Sequence, residues 1–180
     1  MPEVYAGQLV TADLLSTSYA QSDFTAYNIG SATTGAQICN SYSIPAGEPN
    51  VGSVYRLRAY GDGTQGSTAQ GLQFLASFGG LTTGTGLTYA SSFASINQAF
   101  RWWLQAEAMC ITTGASATWQ LSLEGMCGPG TSGLSGVDQN ATPVTMATTS
   151  PIAFFLAADW ASATGSPSLS GLRSVFERIL

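Results

Sequence analysis

Lysine and histidine are absent from this chain, and charge of either sign is scarce. Ten carboxylates and five arginines make up 8% of 180 residues, against a usual quarter. Enzymes that move protons, bind metals or hold phosphates draw on histidine, lysine and clustered carboxylates, so so little of them points away from catalysis: the expectation is a protein that is not an enzyme and needs no cofactor. Five scattered arginines form no basic stripe, which removes nucleic acid as a partner. No apolar run approaches the roughly 18 residues of a membrane span, and no basic segment leads into an apolar one at the start. The prediction is therefore a soluble protein without an export signal and without a membrane partner.

Cysteine is scarce too. Cys39, Cys110 and Cys127 are widely spaced, form no CxxC and have no histidine to join them, which argues against a zinc site and against a disulfide scaffold. Three reduced, mostly buried thiols are expected, a redox pair being the alternative. If residues 100–126 fold as one hairpin turning near Gly114, equal pairing sets Cys110 beside Trp119 and Cys127 beside Trp102, not beside each other.

What is there is glycine, serine, threonine, alanine and glutamine threaded with aromatic-rich runs; 44% of the residues are hydrophobic, enough to build a core. Helical periodicity is confined to Thr11–Ser16, where Thr11 can cap one short turn. Residues 1–22 read as an arm and residues 23–180 as one domain. Beyond the arm the period is two: Phe24–Ile29, Ala36–Ile44, Val54–Tyr60, Leu72–Phe78, a weaker Tyr89–Ile96, Phe100–Thr112, Thr118–Met126, Pro151–Trp160 and Arg173–Leu180. Gly61–Gly71, opened by Asp62-Gly63, and Gly128–Asn140 read as loops. Short alternating strands without any βαβ pattern predict an all-β fold, an antiparallel jelly-roll-like β-sandwich with an extended N-terminal arm.

No candidate catalytic site gathers strength. The serines have no base nearby. Glu107 and Glu124 are the best pair of carboxylates for a glycosidase, but equal pairing sets Glu107 nearer residue 122, so that the two are diagonal neighbours, and either surface solvation or an arginine partner such as Arg56 or Arg58 is expected instead. Gly61-Asp62-Gly63 and Gly128-Pro129-Gly130 read as turns, lacking the lysine of a phosphate loop. Asp62 and Asp138 stand alone among neutral residues, too few for a calcium cage, and Asn140-Ala141-Thr142 matches a glycosylation sequon by chance. No metal site is expected.

Adjacent aromatics raise a different question. In a strand, Trp102 and Trp103 face opposite sides, so Trp103 leaves the core to cap a sheet edge, to meet another subunit, or to form a platform for a carbohydrate ring. Phe155, next to Phe154, is predicted outward in the same way. Trp103 and Phe155 on different strands point to a second buried surface, which an oligomer supplies. Val175 and Ile179 against Phe176 and Leu180 make the last strand apolar on both faces, fitting either such a surface or a fully buried strand.

The opening Val4-Tyr5-Ala6-Gly7-Gln8-Leu9-Val10-Thr11-Ala12-Asp13-Leu14-Leu15 resembles the start of virion structural proteins of tailed phages and prophages of actinobacteria. Tyr55–Gly61, Phe100–Glu107 and Ser174–Leu180 are similar to strands of the same group. The resemblance implies a jelly-roll-like sandwich, trimeric or similarly clustered, on a capsid or tail, and carries over no catalytic residue. Leu9 departs from the pattern, which has a basic residue there.

The expectation is thus a capsid decoration protein, made in the host cytoplasm and carried on the capsid surface of the virion. Its arm (Tyr5, Leu9, Val10, Leu14, Leu15) docks on the major capsid protein, and its sandwich clusters as a homotrimer. Two alternatives stay open: a tail or head-fibre protein that binds a host surface glycan, and a non-viral carbohydrate-binding module.

Overall fold

The computed structural model describes residues 21–68, 71–78, 86–92, 97–128, 134–139 and 143–179. The arm residues Tyr5, Leu9, Val10, Leu14 and Leu15, the turn Thr11–Ser16 and the sequon Asn140–Thr142 lie outside them.

The described chain is all-β, and its paired strands run antiparallel in two sheets. The larger sheet contains β1 (Gln21–Asp23), β2 (Tyr27–Asn28), β5 (Val54–Thr64), β8 (Ala99–Cys110), β9 (Thr118–Gly128), β10 (Leu134–Gln139), β11 (Val144–Thr145) and β13 (Ser168–Arg178), with the order β1-β13-β5-β8-β9-β10. The smaller holds β3 (Ala36–Gln37), β4 (Tyr42–Ile44), β6 (Gly71–Phe78), β7 (Gly86–Ser92) and β12 (Ile152–Trp160), in the order β3-β12-β6-β7 with β4 also on β12. This is the jelly-roll-like sandwich that the period-two runs predict.

Alternation builds the core. Phe100, Trp102, Leu104, Ala106, Ala108 and Cys110 of β8 turn inward, as do Trp119, Leu121, Leu123 and Cys127 of β9. They meet Phe74, Phe154, Leu156 and Trp160 of the smaller sheet in one hydrophobic cluster. Tyr42, Phe176 and Tyr55 stack in a column, with ring centroids 5.2 and 6.1 Å apart and planes within 13° and 6° of parallel. Each buried indole finds a backbone acceptor: Trp119 Nε1 donates to Met146 O at 2.9 Å, Trp160 Nε1 to Gly30 O at 3.2 Å and Trp102 Nε1 to Asp62 O at 3.3 Å. An indole N–H without such a partner would be costly to bury.

The β8–β9 hairpin follows the expected register, with Cys110 opposite Trp119, Trp102 opposite Cys127 and Glu107 opposite Ser122. Its turn is braced by buried Thr148, whose Oγ1 accepts from Gly114 N at 2.8 Å.

Four local expectations are corrected. Gly61-Asp62-Gly63 is strand, not turn. Gly61 and Gly63 face the core, and a Cβ on either would collide both with a ring, Trp102 or Phe100, and with a backbone carbonyl of β13, Ser170 or Ser168; they are glycine because ring and neighbouring backbone both close on them. Within 128–140, Leu134–Gln139 forms a strand on β9. Phe24–Ile29 is interrupted because the Asp23 carboxylate accepts from Thr25 N at 2.9 Å, a local turn that competes with the ladder; Phe24 is exposed there. In the last strand, which ends at Arg178, Phe176 is buried and Val175 half-buried, and Ile179 just beyond it is exposed, so that strand is not fully buried.

Candidate functional site: the outer face of the larger sheet

The side chains of β13, β5, β8 and β9 that do not enter the core form transverse rows across the sheet, fixed by strand register. The first row is Arg173, Tyr60, Trp103 and Met126. Tyr60 is 41% exposed, Met126 42%, and Trp103 lies half-buried between them. Because β8 sits between β5 and β9, Trp103 is in the middle of the sheet, so it does not cap an edge. The second row is Val175, Arg58, Gln105 and Glu124, and the third Glu177, Arg56, Glu107 and Ser122.

The second and third rows are tied together. Arg56 pairs with Glu107 at 2.7 Å and reaches Glu177 at 3.5 Å, while Arg58 also meets Glu177. Gln105 Nε2 donates to Glu124 at 2.7 Å and to Glu107 at 3.4 Å. The carboxylates considered for glycoside cleavage are therefore diagonal neighbours joined through a glutamine amide, one of them clamped by the Arg56 partner that the sequence suggests. A separate, more enclosed pair ties the Pro45–Asn50 turn to β13: Arg178 meets Glu48 at 3.3 Å, and Glu48 also accepts from Tyr55 at 2.8 Å.

On the other side of the aromatic row stand Asp62 and Arg101, cross-strand partners and both exposed. Beside them lie two adjoining clefts of about 490 and 520 Å³ that share Asp62, Arg101 and Gly128; Trp103, Tyr60 and Leu172 line the first. Sequence reasoning singled out Trp103 but not its neighbours, because Tyr60 and Met126 reach it only through strand order.

Phe155 does not stand outward as its alternation with Phe154 predicts: it is 5% exposed. The alternation gives its face correctly, but that face is covered by the chain itself, since Leu75, Ser77 and Ala157 on the same side of β6 and β12 are buried as well. A side chain so covered is not available to another copy.

The thiols of Cys39, Cys110 and Cys127 are free and buried. Burial pushes Cys39 and Cys127 up to about 12, and Cys110 upward as well. Among the described residues, no cluster of three metal-ligating side chains occurs, and no helix is long and apolar enough to cross a membrane.

The class this architecture defines is the antiparallel, jelly-roll-like β-sandwich. No protein-family profile and no curated protein sequence matches the chain. Among solved structures it is similar to arcelin-5, a lectin-like defense protein from Phaseolus vulgaris, at 6% identity and a TM-score of 0.46, over 91% of this chain and 99% of that one. It is also similar to the CBM2 module of the evolved Dit of Lactobacillus casei BL23 phage J-1, at 13% identity and a TM-score of 0.35, over 76% and 67% of the two chains. A seed lectin of Lotus tetragonolobus matches at 9% identity and a TM-score of 0.33, over 91% and 96%.

Proposed function

We propose that this chain is a structural protein of a tailed-phage virion, which decorates the assembled capsid shell and cements it without chemistry of its own. The observation that carries this reading is where the reactive groups go. The thiols are buried and held protonated, and Glu107, Glu124 and Glu177 are engaged by Arg56, Arg58 and Gln105 within the sheet. What faces outward is contact surface. The opening motif, with its resemblance to virion proteins, supports the placement.

On this reading Tyr5, Leu9, Val10, Leu14 and Leu15 dock on the major capsid protein, and copies gathered by their arms cluster as a homotrimer. Binding the closed shell but not its separated subunits stabilises the shell by mass action. With 8% charged residues the contact is broad and hydrogen-bonded, so raising salt weakens it little. Capsids stripped of this protein provide the test. Adding it back restores resistance to heat and osmotic shock, and the double variant Leu14→Asp/Leu15→Asp does not. Unaltered particle stability together with lost adsorption to the host would move the protein to a fibre.

A further inference from the structure

We propose that the cleft around Asp62, Arg101 and Trp103 is a binding site for a neutral oligosaccharide. Three local features build it. The pairing of β13 with β5 slips between Gly171, opposite Gly61, and Arg173, opposite Tyr60. Leu172 is the extra residue of that bulge, exposed and set into the cleft wall; bulges re-aim side chains in this way beside binding sites. Across the sheet, Arg101 is paired with Gly128, which has no side chain to fill the space beside the guanidinium. Beneath, Trp102 packs under Gly61 and its indole N–H donates to the Asp62 carbonyl at 3.3 Å, fixing the strand where Asp62 emerges.

The lining selects the ligand. Trp103 and Tyr60 sit in register on neighbouring strands, about 5 Å apart in the hydrogen-bonding direction. They offer an aromatic surface to the C–H face of a sugar ring. The Asp62 carboxylate only accepts hydrogen bonds and the Arg101 guanidinium only donates them. Neither has a hydrogen-bond or ion-pair partner among the described residues, whereas Arg56, Arg58 and Arg178 are all engaged. A row of hydroxyls uses an acceptor and a donor side by side. The two charges cancel, so an anionic ligand drawn to Arg101 is repelled by Asp62, and a neutral one loses nothing. A second copy of the chain fits less well. The core of a protein interface is depleted of charge and each partner buries about 800 Å²; here the apolar row is one residue deep, with Asp62 and Arg101 on one side and Arg58 and Glu124 on the other.

The test is an array of neutral and acidic oligosaccharides, followed by calorimetric titration of the whole chain with the best-bound neutral one. A neutral oligosaccharide binds, and Trp103→Ala weakens it by about tenfold or more. Asp62→Asn and Arg101→Gln each weaken it by about fivefold or more without lowering the melting temperature. If Trp103→Ala melts early, the exposed Tyr60→Ala carries the same expectation. The proposal is overturned by no neutral oligosaccharide bound at about 10 mM, by binding of acidic sugars alone, or by a Trp103→Ala variant that binds as before. A Trp103→Ala change that turns an oligomer into a monomer, with no sugar bound by either form, overturns it in favour of a contact between copies. None of the residues named in the cleft belongs to residues 1–22, so cementing of stripped capsids by a variant that has lost sugar binding tells this proposal apart from the preceding one.

Discussion

Tyr42 of the smaller sheet and Ser174 of the larger meet hydroxyl to hydroxyl at 2.7 Å inside the sandwich, both side chains buried. It is a polar stitch through an apolar core, and it fixes how the two sheets slide on each other where the Tyr42–Phe176–Tyr55 column stands. Removing one hydroxyl strands the other. Tyr42→Phe and Ser174→Ala are each expected to destabilise by about 1–3 kcal/mol, and the double variant by clearly less than their sum. Urea unfolding of the three variants measures this; strict additivity would show that the contact contributes nothing.

Two glycines separate close packing from backbone conformation. A Cβ at Gly61 meets the Trp102 indole and the Ser170 carbonyl, while one at Gly114 meets nothing, yet Gly114 has a φ of +106°. Gly61→Ala is expected to cost about 3 kcal/mol or more by overpacking, and Gly114→Ala about 1–2 kcal/mol by backbone strain. Thermal melts that rank them the other way would place the constraint in the hairpin turn instead of under the indole.

The ion pairs are unequal. Arg56 and Glu107 have side chains about 30% exposed, at 28% and 32%, whereas Arg178 and Glu48 are at 19% and 16%. One carboxylate oxygen of Glu48 is buried without a hydrogen-bond partner. Arg56→Met is therefore expected to cost less than about 1 kcal/mol, and less still in high salt. Arg178→Met leaves a buried carboxylate supported chiefly by Tyr55 and is expected to cost about 3 kcal/mol. Chemical denaturation at low and high salt distinguishes the two.

Alkali should loosen the fold from inside. Burial raises Cys39 and Cys127 from the ordinary 9.0 to about 12, and burial with the nearby Asp23 carboxylate raises Tyr27 from 10.0 to about 12. A raised value means that the folded state favours the protonated form. The stabilisation is whole below about pH 9 and is lost as the pH climbs from there to about 12. Melting temperature is expected to hold from pH 6 to roughly 8.5 and then fall. At pH 8 an alkylating reagent should modify Cys39 and Cys127 only after denaturant is added; rapid labelling of the native protein would contradict their burial.

Much of this was legible in the residues, and the boundary is physical. Period-two alternation and one turn glycine gave the β8–β9 register, because a hairpin is a local object. The Arg56–Glu107 pair was suggested on a different ground, charge complementarity between mid-strand polar faces, because β5 and β8 pair across fifty-one residues. Gly61-Asp62-Gly63 misled because glycine signals a turn unless the rings of Trp102 and Phe100 above it are known, and they lie some forty residues away. The bulge at Leu172 leaves no mark in composition. Phe155 shows that alternation assigns a face but not what covers it. The cleft went unseen because it is assembled from β13, β5, β8 and β9, whose order no local pattern reveals.

The strand order also bears on how the chain reaches this state. In the larger sheet β13 is flanked by β1 and β5, and in the smaller β12 lies between β3 and β6, so each sheet is keyed by a segment from residues 152–178. Until the ribosome has passed Arg178, the apolar sides of β5, β8 and β9 have no complete counterpart. Closure by such distant pairings is slow and leaves a sticky intermediate, so the sandwich closes only once β12 and β13 are available to pair with β6 and β5.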